Sequence, residues 1–208
     1  MAEAAARLLN RRSPLMTKIK TGLDPRLVRY IERVRAIATA PLSDVAKLRR
    51  VREAATELVA ERVVIGAEFR HVPARGYGRN LLYRDAQTDF VVIAMIWPPH
   101  SGGRPHDHGT WGVGAVAEGE VEVTNYERED GGSNPAFAVL RPLGSVRAAP
   151  GATATVLPPH EDFHSVRNAL TDRTSVTIHT YGREPRNYHG VDLATGAVAI
   201  GELVYDNE

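Results

Sequence analysis

The chain has 208 residues, 43% of them hydrophobic and 25% charged, a composition that excludes collagen-like, low-complexity and wholly disordered polymers and predicts one compact domain. With no cysteine it can form no disulfide, no thiolate metal site and no cysteine nucleophile. The net charge of +1 hides a basic first portion, with 13 Lys/Arg against 7 Asp/Glu over residues 1–61; these arginines are spread around predicted helices with few aromatics between them, which favours a solvated helical face over a nucleic-acid surface.

Residues 1–22 lack periodicity and contain Pro14 and Gly22, which reads as a loosely attached arm. Asp24 followed by Pro25 is a helix start, a capping side chain and then a proline where its missing N–H costs nothing. Leu27, Tyr30, Ile31, Val34, Ile37 and Ala38 then recur at helical spacing. Pro41 ends that helix and Ser43 can cap a second, with Val45, Leu48, Val51, Ala55, Leu58 and Val59 as its apolar stripe. The helical segment is thus placed over 23–66 and a β domain over 67–208. In the latter, short apolar or alternating runs occur at 77–84, 89–97, 110–117, 119–126, 136–140, 153–157, 163–167, 173–181 and 196–200, separated by Gly, Pro and Asp turns. Residues 130–135 (DGGSNP) read as a hairpin loop. Connections this short suit antiparallel neighbours and predict a closed barrel or jelly roll with the helices on one side. The longest continuous apolar run, 90–97, has strand length and not membrane-span length. The start carries Arg7, Arg11 and Arg12 without an apolar signal core, so a cytoplasmic location is expected.

Seven of the eight histidines lie between positions 100 and 189. His106 and His108 flank Asp107, and side chains at i and i+2 of an extended segment share a face, so the two imidazoles can reach one metal ion. His164, which begins an alternating segment on the far side of a long excursion, is the best third ligand; His160, after two prolines, is its rival. In Ser175–Tyr181 the same alternation puts Thr177, His179 and Tyr181 on one face, and three polar groups in a row need partners or a polar cavity. Tyr77 and Arg79 share a face at the start of the first strand, and a guanidinium is well shaped to grip a carboxylate. His71, His100 and His189 show no partner pattern, and Asp107 reads as supporting or exposed.

The His106–His108 pair, Gly119, and His164 with Asn168 four positions on resemble the two cupin motifs. The acidic ligand that many cupins place soon after the pair is absent, since Thr110, Trp111 and Gly112 stand there. What is left resembles the three-histidine site of the cysteine dioxygenase type I family, over about 77–190, including the HDHxxWG and SVxIHxYG stretches and the spacing from Trp97 to His106. The resemblance implies a cupin double-stranded β-helix, non-haem Fe(II) held by His106, His108 and His164, and oxidation of L-cysteine by O₂ to its sulfinic acid. It matches Thr177, His179 and Tyr181 to the family's Ser-His-Tyr relay, with threonine in place of serine. Arg79 falls where members acting on cysteine carry Arg and those preferring 3-mercaptopropionate carry Gln, and Tyr77 is expected to assist it. The cysteine that crosslinks to the active-site tyrosine in animal enzymes is missing here, as in bacterial members. The partners implied are a small thiol and O₂, with neither nucleic acid nor membrane; other thiol carboxylates, such as mercaptosuccinate, and a non-oxygenase metal-binding cupin are the competing readings.

Overall fold

The structure, a computed structural model, describes residues 18–74, 76–159 and 162–208. Most of the predicted arm, up to position 17, and His160 lie outside them. Helix α1 (Pro25–Thr39) starts where expected: the Asp24 carboxylate accepts a hydrogen bond from the Arg26 N–H (2.8 Å), and the predicted stripe from Leu27 to Ala38 is buried. In helix α2 (Asp44–Ala60) the Ser43 hydroxyl caps Ala46 N. Its buried stripe includes Ala54, whereas Val45, predicted to be inside, is 62% exposed because it sits in the first turn, beyond the packed face. Ion pairs Arg29–Glu61 and Arg33–Glu57 tie the two helices on their outer side, which uses part of the basic charge locally.

Among the described residues the β region contains ten strands: β1 (Gly78–Arg84), β2 (Val91–Trp97), β3 (Gly112–Glu118), β4 (Val121–Arg128), β5 (Leu140–Ala148), β6 (Thr153–Val156), β7 (His164–Asn168), β8 (Ser175–Tyr181), β9 (Asn187–Val191) and β10 (Val198–Glu202). One sheet has the order β1-β2-β8-β3-β6, a second β5-β4-β7, and β9 pairs with β10, all antiparallel. The stretch after β2 joins β7 to β9 through bridges from His106 to both His164 and Gly190. This is a cupin double-stranded β-helix with two helices, and no ladder among the described residues closes the two sheets into a continuous barrel. The expectation of a closed barrel is corrected in that respect. No helix among the described residues is long and apolar enough to cross a membrane.

Two further corrections concern strands. The run predicted at 136–140 lies mostly before β5, and β9 was not anticipated. β5 is an edge strand exposed along its interior, so it carries no two-residue hydrophobic period to read, and an edge tolerates Pro142. β9 (NYHGV) is likewise half exposed.

The five-stranded sheet separates two cores. Its outer face, with Val92, Ala94, Ile96, Ala115, Val176 and Ile178, packs on the helices. Its inner face, with Leu81, Val91, Ile93, Met95, Val116 and Tyr181, packs toward β4 and β7. On β8 this division falls residue by residue. Thr180 faces outward and meets the Tyr30 hydroxyl of α1 at 2.6 Å, while Thr177, His179 and Tyr181 face the interior between the sheets.

Candidate metal centre

His106 and His164 face each other across an antiparallel bridge with both backbone hydrogen bonds made, His106 N to His164 O at 2.9 Å and His164 N to His106 O at 3.1 Å. His108, two residues on, completes a near-equilateral triangle of rings with centroids 4.8–5.1 Å apart. One ring nitrogen from each of the three lies within 4.8 Å of the other two. The imidazoles are oriented at their other nitrogens. His106 Nδ1 donates to the Arg104 carbonyl (2.8 Å) and His108 Nδ1 to the Asp162 carboxylate (3.1 Å). That leaves Nε2 of each for the centre, and His108 Nε2 is buried with no hydrogen-bond partner among the described residues.

Burial pushes the His106 imidazole down to about 3, aided by the neighbouring His108, and holds His164 well below its ordinary value. Both rings are therefore neutral at neutral pH, the form in which imidazole ligates a metal. The orphaned Nε2 of His108 and the three converging imidazoles fit a transition-metal ion: the three-histidine set can hold one.

Behind the centre runs a hydrogen-bonded row. The Trp97 indole N–H donates to the Thr177 hydroxyl (2.9 Å), Thr177 meets His179 Nε2 (2.8 Å), and His179 Nδ1 meets the Tyr181 hydroxyl (3.2 Å). The proton positions follow from the chemistry. Indole can only donate, so Thr177 accepts there and turns its own proton to His179 Nε2, the one acceptor it has among the described residues. The neutral His179, pushed down to about 3 by burial and by His108, then carries its proton on Nδ1 and donates it to Tyr181. Burial raises the Tyr181 phenol well above its ordinary value, so it keeps its proton and is free to donate it toward the histidines. Its ring stacks on His108 at 5.1 Å. Gly112 makes this placement possible, since a Cβ there would lie 2.7 Å from the Tyr181 ring.

On the opposite wall Arg79 donates to the Tyr77 hydroxyl (2.7 Å) and its guanidinium lies over the Tyr77 and Tyr188 rings, at 4.7 and 5.7 Å. Among the described residues it makes no ion pair with a carboxylate. Tyr77 stacks on Trp97 at 4.4 Å, so the arginine wall and the relay share a foundation. Between them lies a space of about 30 Å³ lined by Arg79, His106, His108, His164, Tyr181 and Tyr188. A larger apolar cavity of about 270 Å³ between β3, β4 and β6 reaches the other side of His164, His179 and Tyr181.

The structure thus brings all eight residues singled out in the sequence to one place: Tyr77, Arg79, His106, His108, His164, Thr177, His179 and Tyr181. Sequence reasoning missed Asp162, Tyr188 and Gly112, and the part played by the Trp97 indole. His189 does have a partner: its Nδ1 pairs with the Asp107 carboxylate at 2.8 Å on the half-exposed outer side of the ligand segment.

No family model matches the chain. Solved structures resemble it at low identity. An uncharacterised conserved protein with a double-stranded β-helix domain from Klebsiella pneumoniae is 15% identical over 67% of this chain and 97% of that one, with a TM-score of 0.41. The cupin domain of Schizosaccharomyces pombe Cnp3 is 14% identical over 58% and 70%, TM-score 0.40. An oxalate oxidase is 14% identical over 60% of this chain and 61% of its own, less than two thirds, TM-score 0.43. None of these likenesses decides what the site does. Strand order and side-chain geometry define a cupin-fold protein with a three-histidine cluster able to bind a metal.

Proposed function

We propose that the protein is a thiol dioxygenase of the cysteine dioxygenase type, using Fe(II) held by His106, His108 and His164 to convert L-cysteine and O₂ into cysteine sulfinic acid. The observation that carries this reading is the meeting of three groups in one space: three converging imidazoles, an arginine with no carboxylate partner among the described residues, and a buried phenol hydrogen-bonded to His179. When bound, ferrous iron at an all-histidine site keeps its full charge, favours an anionic thiolate and leaves positions open for O₂.

The protein's own groups supply binding and orientation. Arg79, held flat by Tyr77 and Tyr188, offers two parallel N–H donors to a carboxylate, and a half-buried setting strengthens that pairing relative to water. Gripping the carboxylate there fixes where the thiol sulfur of a short substrate lies relative to the histidines. Tyr181 donates its proton in a hydrogen bond toward the reacting groups, and the chain from Trp97 through Thr177 and His179 keeps that phenol from turning away. The apolar wall of Ile93, Met95 and Leu203 limits water in the small space. In the overall reaction the thiol gains both oxygen atoms of O₂, and no other oxidant or reductant is consumed.

Arg79 selects a carboxylate but does not count carboxylates or detect an amine, so 3-mercaptopropionate and mercaptosuccinate belong in the same test. Anaerobically iron-loaded protein should consume O₂ with L-cysteine and give a product heavier by two oxygen atoms. The same result with another thiol instead would keep the reaction and overturn the substrate. No uptake with iron demonstrably bound would move the protein to the non-oxygenase metal-binding cupins.

A further inference from the structure

The backbone ladder that pairs His106 with His164 stops there, yet the third histidine, His108, is also anchored at both its backbone and its ring. Antiparallel register places position 162 opposite position 108, two residues beyond the bridge on each side. Continued pairing would send the His108 N–H to the backbone carbonyl of residue 162. Instead it goes to that residue's side chain: Asp162 Oδ1 accepts from His108 N at 3.0 Å and from His108 Nδ1 at 3.1 Å, and Oδ2 accepts from Gly109 N at 3.1 Å. The carboxylate is 6% exposed and has no lysine or arginine partner among the described residues. Burying a charge in this way is costly unless its hydrogen bonds do something a neutral group could not.

We infer that Asp162 is a positioning residue for metal binding, a buried carboxylate that fixes the tautomer and direction of His108 and brings a negative charge one imidazole away from the ion. Accepting from Nδ1 forces the His108 proton onto that nitrogen and leaves Nε2 bare toward the cluster, where it is the orphaned atom. Accepting from two successive backbone N–H groups also holds the turn at Gly109, whose φ of +61° suits glycine. Since Asp162 is two residues before His164, one carboxylate ties the segment carrying two ligands to the strand carrying the third. On the opposite side, Asp107 and His189 form a pair of the same chemistry that touches no ligand ring. The inference rests on reading the cluster as a metal site and does not depend on thiol oxidation.

The test uses Co(II) and Fe(II) affinities of the full chain, measured by competition with a chromophoric chelator, together with the visible absorption spectrum of the Co(II) protein. Asp162→Asn removes the charge and one acceptor at nearly constant size and should weaken both metals by roughly 10–100-fold and shift the Co(II) bands. Asp107→Asn should leave affinity and spectrum near those of the parent. Parent-like metal binding and spectrum in Asp162→Asn would overturn the inference, and so would equal losses in the two variants, which would mean general loosening of the segment. If Asp162→Asn does not fold, nitrogen-15 NMR of the Zn(II)-loaded parent protein decides. His108 protonated at Nδ1 and metal-bound through Nε2 supports the assignment; the reverse overturns it. A parent protein that takes up none of these metals would overturn the metal reading itself.

Discussion

At the scale of single residues the proposed roles separate by what each substitution leaves intact. Arg79 touches no ligand nitrogen, and its guanidinium is braced by Tyr77 and Tyr188. Arg79→Gln should therefore keep metal affinity while weakening a thiol carboxylate by roughly 10–100-fold, the value of charge-assisted hydrogen bonds worth about 1.5–3 kcal/mol. Calorimetric titration of the metal-loaded protein with L-cysteine checks this, and unchanged affinity would remove Arg79 from substrate binding. Tyr181→Phe keeps the ring that stacks on His108 and deletes only the donor. Metal content should be unaffected and turnover should fall on the order of 10²-fold. Parent-like turnover would show that the relay ends at His179 with no consequence for the reaction.

Among the elements, what could be read in advance was what burial writes into the sequence as a period. Helix α1 was legible to its cap because Asp24, Pro25 and the stripe from Leu27 to Ala38 are all local signals. The inward face of β8 was legible because strict alternation separates Thr177, His179 and Tyr181 from Val176 and Ile178. β5 was not, since a solvated edge strand is free of that constraint, and Asp162 was not, because its partners His108 and Gly109 are far away in the chain and meet it only through the His106–His164 bridge. Asp24 also yields a prediction. Burial works to raise its carboxyl, but hydrogen bonds from Val64 N and Arg26 N and the Arg26 charge outweigh it and hold it below the ordinary value. A carboxyl depressed on folding adds stability above its unfolded value, and that stability is lost as the pH falls through the folded one. Asp24→Ala should thus cost about 0.5–2 kcal/mol at neutral pH, and the gap between variant and parent should narrow below about pH 4. Urea unfolding at both pH values measures it; a gap that stays constant would mean the carboxylate's charge adds nothing beyond the cap's shape.

Taken as a whole, the molecule closes its site from the chain's last described residues. β1, which carries Arg79, is the outer strand of its sheet, so one row of its backbone groups would otherwise face solvent. Residues 203–208 run along that row. Asp206 accepts from Arg79 N (2.7 Å) and its own N–H donates to Arg79 O (2.8 Å), while Asn207 accepts from Leu81 N (2.8 Å) and donates to Leu81 O (3.2 Å). The buried Tyr205 donates to Glu184 (2.9 Å), itself paired with Arg84 of the same strand, and Leu203 lines the small space beside Arg79. Nothing local in LVYDNE announces this, because the exposed Val204 stands between Leu203 and the buried Tyr205 and the pairing side chains Asp206 and Asn207 are polar, so the residue types do not alternate with burial. Ending the chain after Glu202 should release β1 without touching the histidines. Losing the buried Tyr205 alone is comparable to a large-to-small core substitution, so the unfolding midpoint should drop by roughly 5–10 °C. Well below that midpoint the shortened protein should bind metal as the parent does and bind L-cysteine more weakly, because the strand that aims Arg79 has lost its outer support. Equal weakening of metal and thiol would instead show that the tail supports the whole interior, and parent-like thiol affinity would show that β1 holds Arg79 without it.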